Sequence, residues 1–142
     1  MNANTKKILL VEDDEDLCTT LREFLEIEGY RLICAKNGEE ALQLLHQLPR
    51  GELPACILLD LQMPVMDGGT FLEILSKDGA EELVRIPVIV LTAKTLNDEK
   101  VRQRAVETMS KPFDVEHLLT TIAKNADFPA ERSKVPERLQ MH

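Results

Sequence analysis

The chain has no apolar run that approaches a membrane-spanning helix, which needs about 20 residues. It also lacks a signal-peptide pattern at its amino terminus, where Lys6 and Lys7 precede only a short apolar stretch at residues 8–11. Both absences predict a cytoplasmic protein that does not insert into membranes.

Positive charge is scarce, since 17 lysines and arginines stand against 25 aspartates and glutamates and leave a net charge of −8. Binding to nucleic acid without regard to its sequence needs a positive surface, so this class of function is disfavoured. No helix-turn-helix pattern follows residue 125, which argues against a DNA-binding regulator as well. A basic protein partner remains compatible with the charge.

Glycine-rich phosphate-binding loops are missing too, so ATP is not expected to be a phosphoryl donor. The cysteines Cys18, Cys34 and Cys56 have no zinc-site spacing, and their odd number argues against a disulfide framework. Because each lies within an apolar pattern, we interpret them as small core residues in a reducing compartment.

A length of 142 residues suits one domain with a substantial core. Short apolar runs alternate with amphipathic stretches in which apolar residues recur every three or four positions. The apolar runs predict strands at residues 8–11, 30–35, 55–59, 88–91 and 107–110. The amphipathic stretches predict helices at residues 16–28, 38–47, 71–76, from a cap at Thr95 or Asn97 to about 106, and 115–125. This alternation predicts an α/β fold, a five-stranded parallel sheet doubly wound by five helices.

Local signals refine these helices. Asn37 is expected to cap the second helix, and Gly29 is expected to end the first. Phe24 is expected on the buried face of the first helix, and residues 68–69 are expected to form a loop before the third. The predicted divisions of the chain are an extension at residues 1–5, one domain at residues 6–126 and a mobile tail at residues 127–142.

Polar residues stand where the predicted strands end. Asp60 follows an apolar run that reads as a buried strand, and a carboxylate there is costly to desolvate unless something pairs with it. Glu12 and Asp13 follow the first strand, Thr92 the fourth, and Lys111 the fifth. Since parallel sheets bind ligands at the carboxyl ends of their strands, these side chains are expected to form one site.

At these positions the chain resembles the receiver domain of two-component response regulators, of the stand-alone, chemotaxis-regulator-like type. The matching motifs are Val11-Glu12-Asp13-Asp14, the stretch from Leu59 to Gly68, Leu91-Thr92-Ala93 and Lys111-Pro112-Phe113. The resemblance covers about residues 6 to 126. It implies the flavodoxin-like strand order 2-1-3-4-5, which places the first strand beside the third and brings Asp13 near Asp60.

The resemblance also implies a magnesium site. Asp13 and Asp60 would bind Mg²⁺ directly, and the backbone carbonyl of Gln62 would complete the protein ligands. Glu12 would act through water, and Asp14 would extend the acidic cluster. Oxygen ligands with open water positions suit this ion, which usually takes one or two carboxylates.

The implied reaction is phosphorylation of Asp60 by a phosphohistidine donor. Lys111 would pair with Asp60 before transfer and with a phosphoryl oxygen afterwards, and Thr92 would donate its hydroxyl to the phosphoryl group. The family holds the peptide bond between Lys111 and Pro112 in cis. Gln62 and Lys94 flank the site at positions that tune hydrolysis of the phosphoryl group in the family.

One part of the sequence departs from the family pattern. Three residues before Lys111 the family usually carries a Tyr or Phe that changes rotamer on activation, whereas this chain has Thr108. The stretch from Thr92 to Lys111 is also slightly short. We therefore expect activation to rely on Thr92 and the shortened loop, without an aromatic rotamer change.

The leading hypothesis is a monomeric or weakly dimeric receiver that accepts a phosphoryl group from a sensor histidine kinase or phosphotransfer protein. It would signal through an unknown protein target and would not be an enzyme, apart from promoting its own phosphorylation and dephosphorylation. Alternatives are a phosphorelay intermediate and a binding module that is never phosphorylated. An independent hydrolase with an aspartyl intermediate is a further alternative, but the chain has no spare length for a cap domain.

Overall fold

The computed structural model describes residues 5–62, 66–93 and 99–126. The predicted helix caps Thr95 and Asn97, the flanking Lys94 and the predicted tail at residues 127–142 lie outside the described residues. The division of the chain into extension, domain and tail stays a prediction.

Five parallel strands form one sheet in the order β2-β1-β3-β4-β5, so the predicted order 2-1-3-4-5 is confirmed. The strands are β1 (Lys7–Val11), β2 (Arg31–Ala35), β3 (Cys56–Asp60), β4 (Val88–Thr92) and β5 (Glu107–Ser110). β3 and β4 are buried along their whole length. Burial on both faces explains why their sequences are continuous apolar runs instead of alternating ones.

The described residues contain six α-helices, where the sequence predicted five. They are α1 (Glu15–Ile27), α2 (Gly38–Gln47), α3 (Gly68–Ser76), α4 (Glu81–Val84), α5 (Glu99–Arg104) and α6 (Val115–Ala126), with a 3-10 turn at Arg50–Glu52. The additional helix is α4. Its four residues bury only Leu83, so they are too few to produce a helical repeat in the sequence.

Side-chain caps set several helix boundaries. Asn37 caps α2 as predicted, since its Oδ1 accepts a 2.8 Å hydrogen bond from the Glu40 N–H. The prediction for α3 was wrong at its start, because Asp67 caps the helix and residues 68–69 lie within its first turn. Gly29 follows the end of α1 with φ of 91°, a conformation that favours glycine.

The carboxyl end of α5 was predicted too late, at about residue 106. The helix ends at Arg104 because the N–H of Val106 instead donates a 2.9 Å hydrogen bond to the carbonyl oxygen of Val88. This hydrogen bond precedes the parallel pairing of β5 with β4.

The sheet separates two apolar layers. Leu9 and Val11 pack on the side of α2 and α3, while Ile8 and Leu10 pack on the side of α1 and α6. Phe24 was expected on the buried face of α1 and is instead 43% exposed. The buried face of α1 is narrower than the sequence predicted and consists of Cys18, Leu21 and Leu25. Within residues 5–62, 66–93 and 99–126, no helix combines the length and apolar composition needed to cross a bilayer.

Candidate functional site

The carboxyl edge of the sheet collects the polar residues that the sequence singles out. Glu12 directly follows β1, Asp60 is the last residue of β3 and Thr92 is the last residue of β4. Lys111 follows β5, and its N–H donates a 2.7 Å hydrogen bond to the carbonyl oxygen of Thr92. Because β1, β3, β4 and β5 are consecutive in the sheet, these residues occupy adjacent positions along its edge.

Three carboxylates converge there. One oxygen atom from each of Glu12, Asp13 and Asp60 lies within 4.8 Å of the others. Glu12 and Asp60 are buried, whereas Asp13 is exposed. Carboxylates this close repel one another, and a divalent cation relieves the repulsion. The oxygen donors and the solvent-facing side fit Mg²⁺, which retains several waters when a protein binds it.

Lys111 is the cation of this cluster. Its Nζ lies 2.8 Å from Oε1 of Glu12 and 3.7 Å from Oδ2 of Asp60. The sequence led us to expect Asp60 as the partner, and the shorter contact with Glu12 was missed. A glutamate directly after a buried strand, at the edge where Lys111 follows another strand, is the signal that could have suggested it.

The two partners perturb each other's protonation. Burial raises the pKa of Glu12, and the negative charge of Asp60 raises it further, while the hydrogen bond from Lys111 opposes the shift. Partial burial alone would lower the pKa of Lys111. The hydrogen bond and charge of Glu12, together with the charge of Asp60, outweigh that effect and leave the pKa of Lys111 raised. The lysine is therefore fully charged at neutral pH.

Asp14 takes a structural position beside the cluster. Its Oδ1 accepts hydrogen bonds from the N–H groups of Asp16 at 3.0 Å and Leu17 at 3.3 Å, so it caps α1. The structure does not include Asp14 in the group of converging carboxylates. The spacing of Asp14 before Leu17 is an N-cap pattern that the sequence already contained.

The loops around Asp60 are held close to its carboxylate. Oδ1 of Asp60 accepts a 3.1 Å hydrogen bond from the N–H of Gln62. A Cβ atom on Gly68 would lie 2.7 Å from Cα of Leu61 and 2.9 Å from the carbonyl oxygen of Asp60. Only glycine allows α3 to begin this close to the end of β3. The peptide bond between Lys111 and Pro112 is cis, as the resemblance implied.

A family model for the response regulator receiver domain matches residues 8–123. The chain belongs to the receiver domain family. Among its relatives is the polar-differentiation response regulator DivK of Brucella ovis, which is 37% identical over 121 residues. That alignment covers 83% of this chain and 94% of the relative.

Solved receiver domains share the fold. The receiver domain of a sensor histidine kinase from Pseudomonas aeruginosa PAO1, with magnesium coordinated in its active-site cleft, superposes with a TM-score of 0.74. It is 26% identical, and the match covers 87% of this chain and 98% of that one. The chemotaxis protein CheY4 of Vibrio cholerae is 27% identical with a TM-score of 0.73, over 85% of this chain and 98% of that one. The expected membership in two-component signalling is thereby confirmed.

Proposed function

We propose that this receiver domain accepts a phosphoryl group on Asp60 from a phosphohistidine donor and signals through altered protein contacts. The observation that carries the proposal is the position of Asp60. Its carboxylate is buried at the end of a central strand, beside two further carboxylates and one lysine. A purely structural carboxylate at such a position would need a pairing cation but not two further carboxylates beside it.

In the proposed reaction a carboxylate oxygen of Asp60 attacks phosphorus, and the bond between phosphorus and the donor imidazole nitrogen breaks. The electron pair of that bond stays on the imidazole, and an acyl phosphate forms. Asp13, Asp60 and the backbone carbonyl of Gln62 would hold Mg²⁺, with Glu12 acting through water, and the ion would supply positive charge against the transferring oxygens.

The remaining residues act directly on the phosphoryl group. Lys111 moves its ammonium from Glu12 and Asp60 towards a phosphoryl oxygen, which needs only a small side-chain movement because both acids are already within 4.0 Å. The hydroxyl of Thr92 donates a hydrogen bond to a second phosphoryl oxygen. Catalysis is then mainly positioning and charge stabilisation, as is usual for phosphoryl transfer.

The signal is proposed to travel from Thr92 into the segment before β5. Thr108 lies exposed on β5 and carries no ring that could change rotamer. A structure with a phosphoryl mimic bound should therefore show Thr92 displaced and the backbone around Thr108 rearranged little. A large movement centred on Thr108 would contradict this mode of switching. Changes at Gln62 or Lys94 should alter the lifetime of the aspartyl phosphate.

Transfer from an autophosphorylated, radiolabelled histidine kinase tests the function. Label should move to the parent protein and not to Asp60→Asn, and Lys111→Ala should slow transfer strongly. Asp16→Asn is the matched control, since this exposed acid lies on the first turn of α1 and should leave transfer unchanged. If none of the histidine kinases tested transfers label to the parent protein, a binding module that is never phosphorylated is favoured.

A phosphorelay intermediate is the second candidate, because the same site would serve it. Incubating the labelled parent with isolated phosphotransfer domains distinguishes the two roles. Label that passes on to a histidine of such a domain indicates a relay, whereas label lost only to water indicates a terminal receiver.

A further inference from the structure

Two cysteines meet where α1 packs against β2. Cys18 belongs to α1 and Cys34 to β2, and both side chains lie in the same apolar layer on one side of the sheet. Both line an open cavity of about 280 Å³, which Arg22 and Lys36 also border. Solvent and small polar molecules therefore have access to a pair of adjacent thiols. This arrangement was not expected from the sequence, which led us to interpret all three cysteines as core residues.

The two thiols have different surroundings. Cys34 is half-buried, and its sulfur accepts a 3.4 Å hydrogen bond from Nη2 of Arg22. Cys34 is the more accessible of the two sulfurs and receives this guanidinium donor, so it is placed to act as the nucleophile. Cys18 is buried, and desolvation together with its contact to Cys34 raises its pKa to about 12.

We propose that Cys34 and Cys18 form a peroxide-responsive thiol pair that closes to an intramolecular disulfide. The Cys34 thiolate attacks one oxygen of hydrogen peroxide, the O–O bond breaks, and the departing hydroxide is protonated to water. The sulfur of Cys18 then attacks the resulting sulfenic acid. The S–O bond breaks, and the departing hydroxide takes the Cys18 proton. Two thiols lose two electrons, and one peroxide becomes two waters.

A third metal-ligating side chain would instead favour a thiolate metal site. Among the residues that the structure describes, Glu12, Asp13 and Asp60 form the one group of three such side chains, and neither cysteine belongs to it. The cation beside Cys34 also opposes binding of another cation at the same sulfur. Both observations favour redox chemistry over metal binding.

The disulfide would affect the backbone of the acidic cluster. Sγ of Cys18 donates a 3.9 Å hydrogen bond to the carbonyl oxygen of Glu12. Formation of the disulfide removes this donor and ties α1 covalently to β2. Oxidation would therefore act on the strand end that positions Glu12 and Asp13.

The pair is tested by exposing the reduced protein to hydrogen peroxide, alkylating the remaining thiols under denaturing conditions and mapping the peptides by mass spectrometry. The expected product is a linked peptide containing Cys18 and Cys34. Cys56 serves as the internal control, since burial raises its pKa to about 12 and it should remain a free thiol. In Cys18→Ser, oxidation should stop at a sulfenic acid on Cys34 that dimedone traps.

Two arginine variants test the proposed activation. Arg22→Gln should slow oxidation of Cys34 severalfold. Arg31→Gln changes an exposed arginine on β2, the strand that carries Cys34, and should not affect the rate. Circular dichroism establishes that each variant is folded. The proposal is overturned if the folded parent keeps both thiols alkylatable after peroxide, or if Cys34 oxidises only to an intermolecular disulfide. These readouts do not depend on phosphorylation of Asp60.

Discussion

At the residue scale, three consecutive acids after β1 have different surroundings. Glu12 is buried and pairs with Lys111, Asp13 is exposed and belongs to the carboxylate cluster, and Asp14 caps α1. The sequence could predict that acids collect at this strand end. It could not assign their separate positions, because these depend on which way the backbone turns as it enters α1.

The different surroundings of Asp13 and Asp14 predict that their variants respond differently to Mg²⁺. Mg²⁺ should raise the thermal unfolding temperature of the parent, since a ligand at 100 times its Kd stabilises the folded state by about 2.7 kcal/mol. Asp13→Asn should abolish most of that increase. Asp14→Ala should lower stability by about 1 kcal/mol through loss of the cap and keep the response to Mg²⁺. Differential scanning calorimetry with and without Mg²⁺ measures both effects.

A response to Mg²⁺ that disappears in Asp14→Ala and survives in Asp13→Asn would contradict these assignments. Asp16→Asn provides the control for removing one negative charge nearby, because this residue is exposed on α1. Its response to Mg²⁺ should match that of the parent.

Adjacent glycines at the start of α3 provide a second prediction. Gly68→Ala should destabilise the protein by about 1–3 kcal/mol, because the new methyl group would overlap the backbone of Asp60 and Leu61. Gly69→Ala should be neutral or stabilising by up to about 1 kcal/mol, since its Cβ would meet only ordinary contacts. Urea denaturation of the two variants measures the contrast, and equal stabilities would contradict the close approach.

At the element scale, α4 depends on interactions that leave little trace in the sequence. Asp78 Oδ1 accepts a 2.8 Å hydrogen bond from the Ala80 N–H just before α4, and its Oδ2 lies 2.6 Å from Nε2 of His46 on α2. Short elements held by such long-range contacts cannot be recognised by periodicity. The long helices and buried strands were predictable, because their apolar patterns follow directly from burial against the sheet.

The Asp78 contacts predict a specific dependence on pH. The hydrogen bond from Ala80, aided by His46 and Arg50, holds the pKa of Asp78 below its usual value of 3.8. The unfolded chain therefore binds this proton more readily than the folded protein. The resulting stabilisation is fully present above the usual pKa and is lost as the pH falls through the lowered one.

Asp78→Ala should therefore be less stable than the parent near neutral pH, by less than about 1 kcal/mol because the contact between Asp78 and His46 lies at the surface. The difference should shrink as the pH falls below 3.8. Denaturation midpoints measured across the acid range test this expectation. A difference that stays constant down to the lowest pH would show that the charge of Asp78 contributes nothing.

At the scale of the whole molecule, the sheet order accounts for the site. Placing β1 and β4 on either side of β3 brings residues from distant parts of the chain to one edge. The order came from the family resemblance, because apolar patterns indicate which segments are strands and not how they are arranged. Phe24 shows the same limit within α1, since its spacing fits the apolar stripe while the packing of the helix leaves it 43% exposed.

Intact-mass spectrometry shows whether Asp60 accepts a phosphoryl group. The purified protein is incubated with Mg²⁺ and acetyl phosphate, alongside Asp60→Asn and the Asp16→Asn control. A single phosphoryl adduct is expected on the parent and on the control, and none on Asp60→Asn. An adduct that persists on Asp60→Asn, or a folded parent that gains none even when a phosphorylated histidine kinase is supplied, would show that Asp60 is not the phosphoryl acceptor.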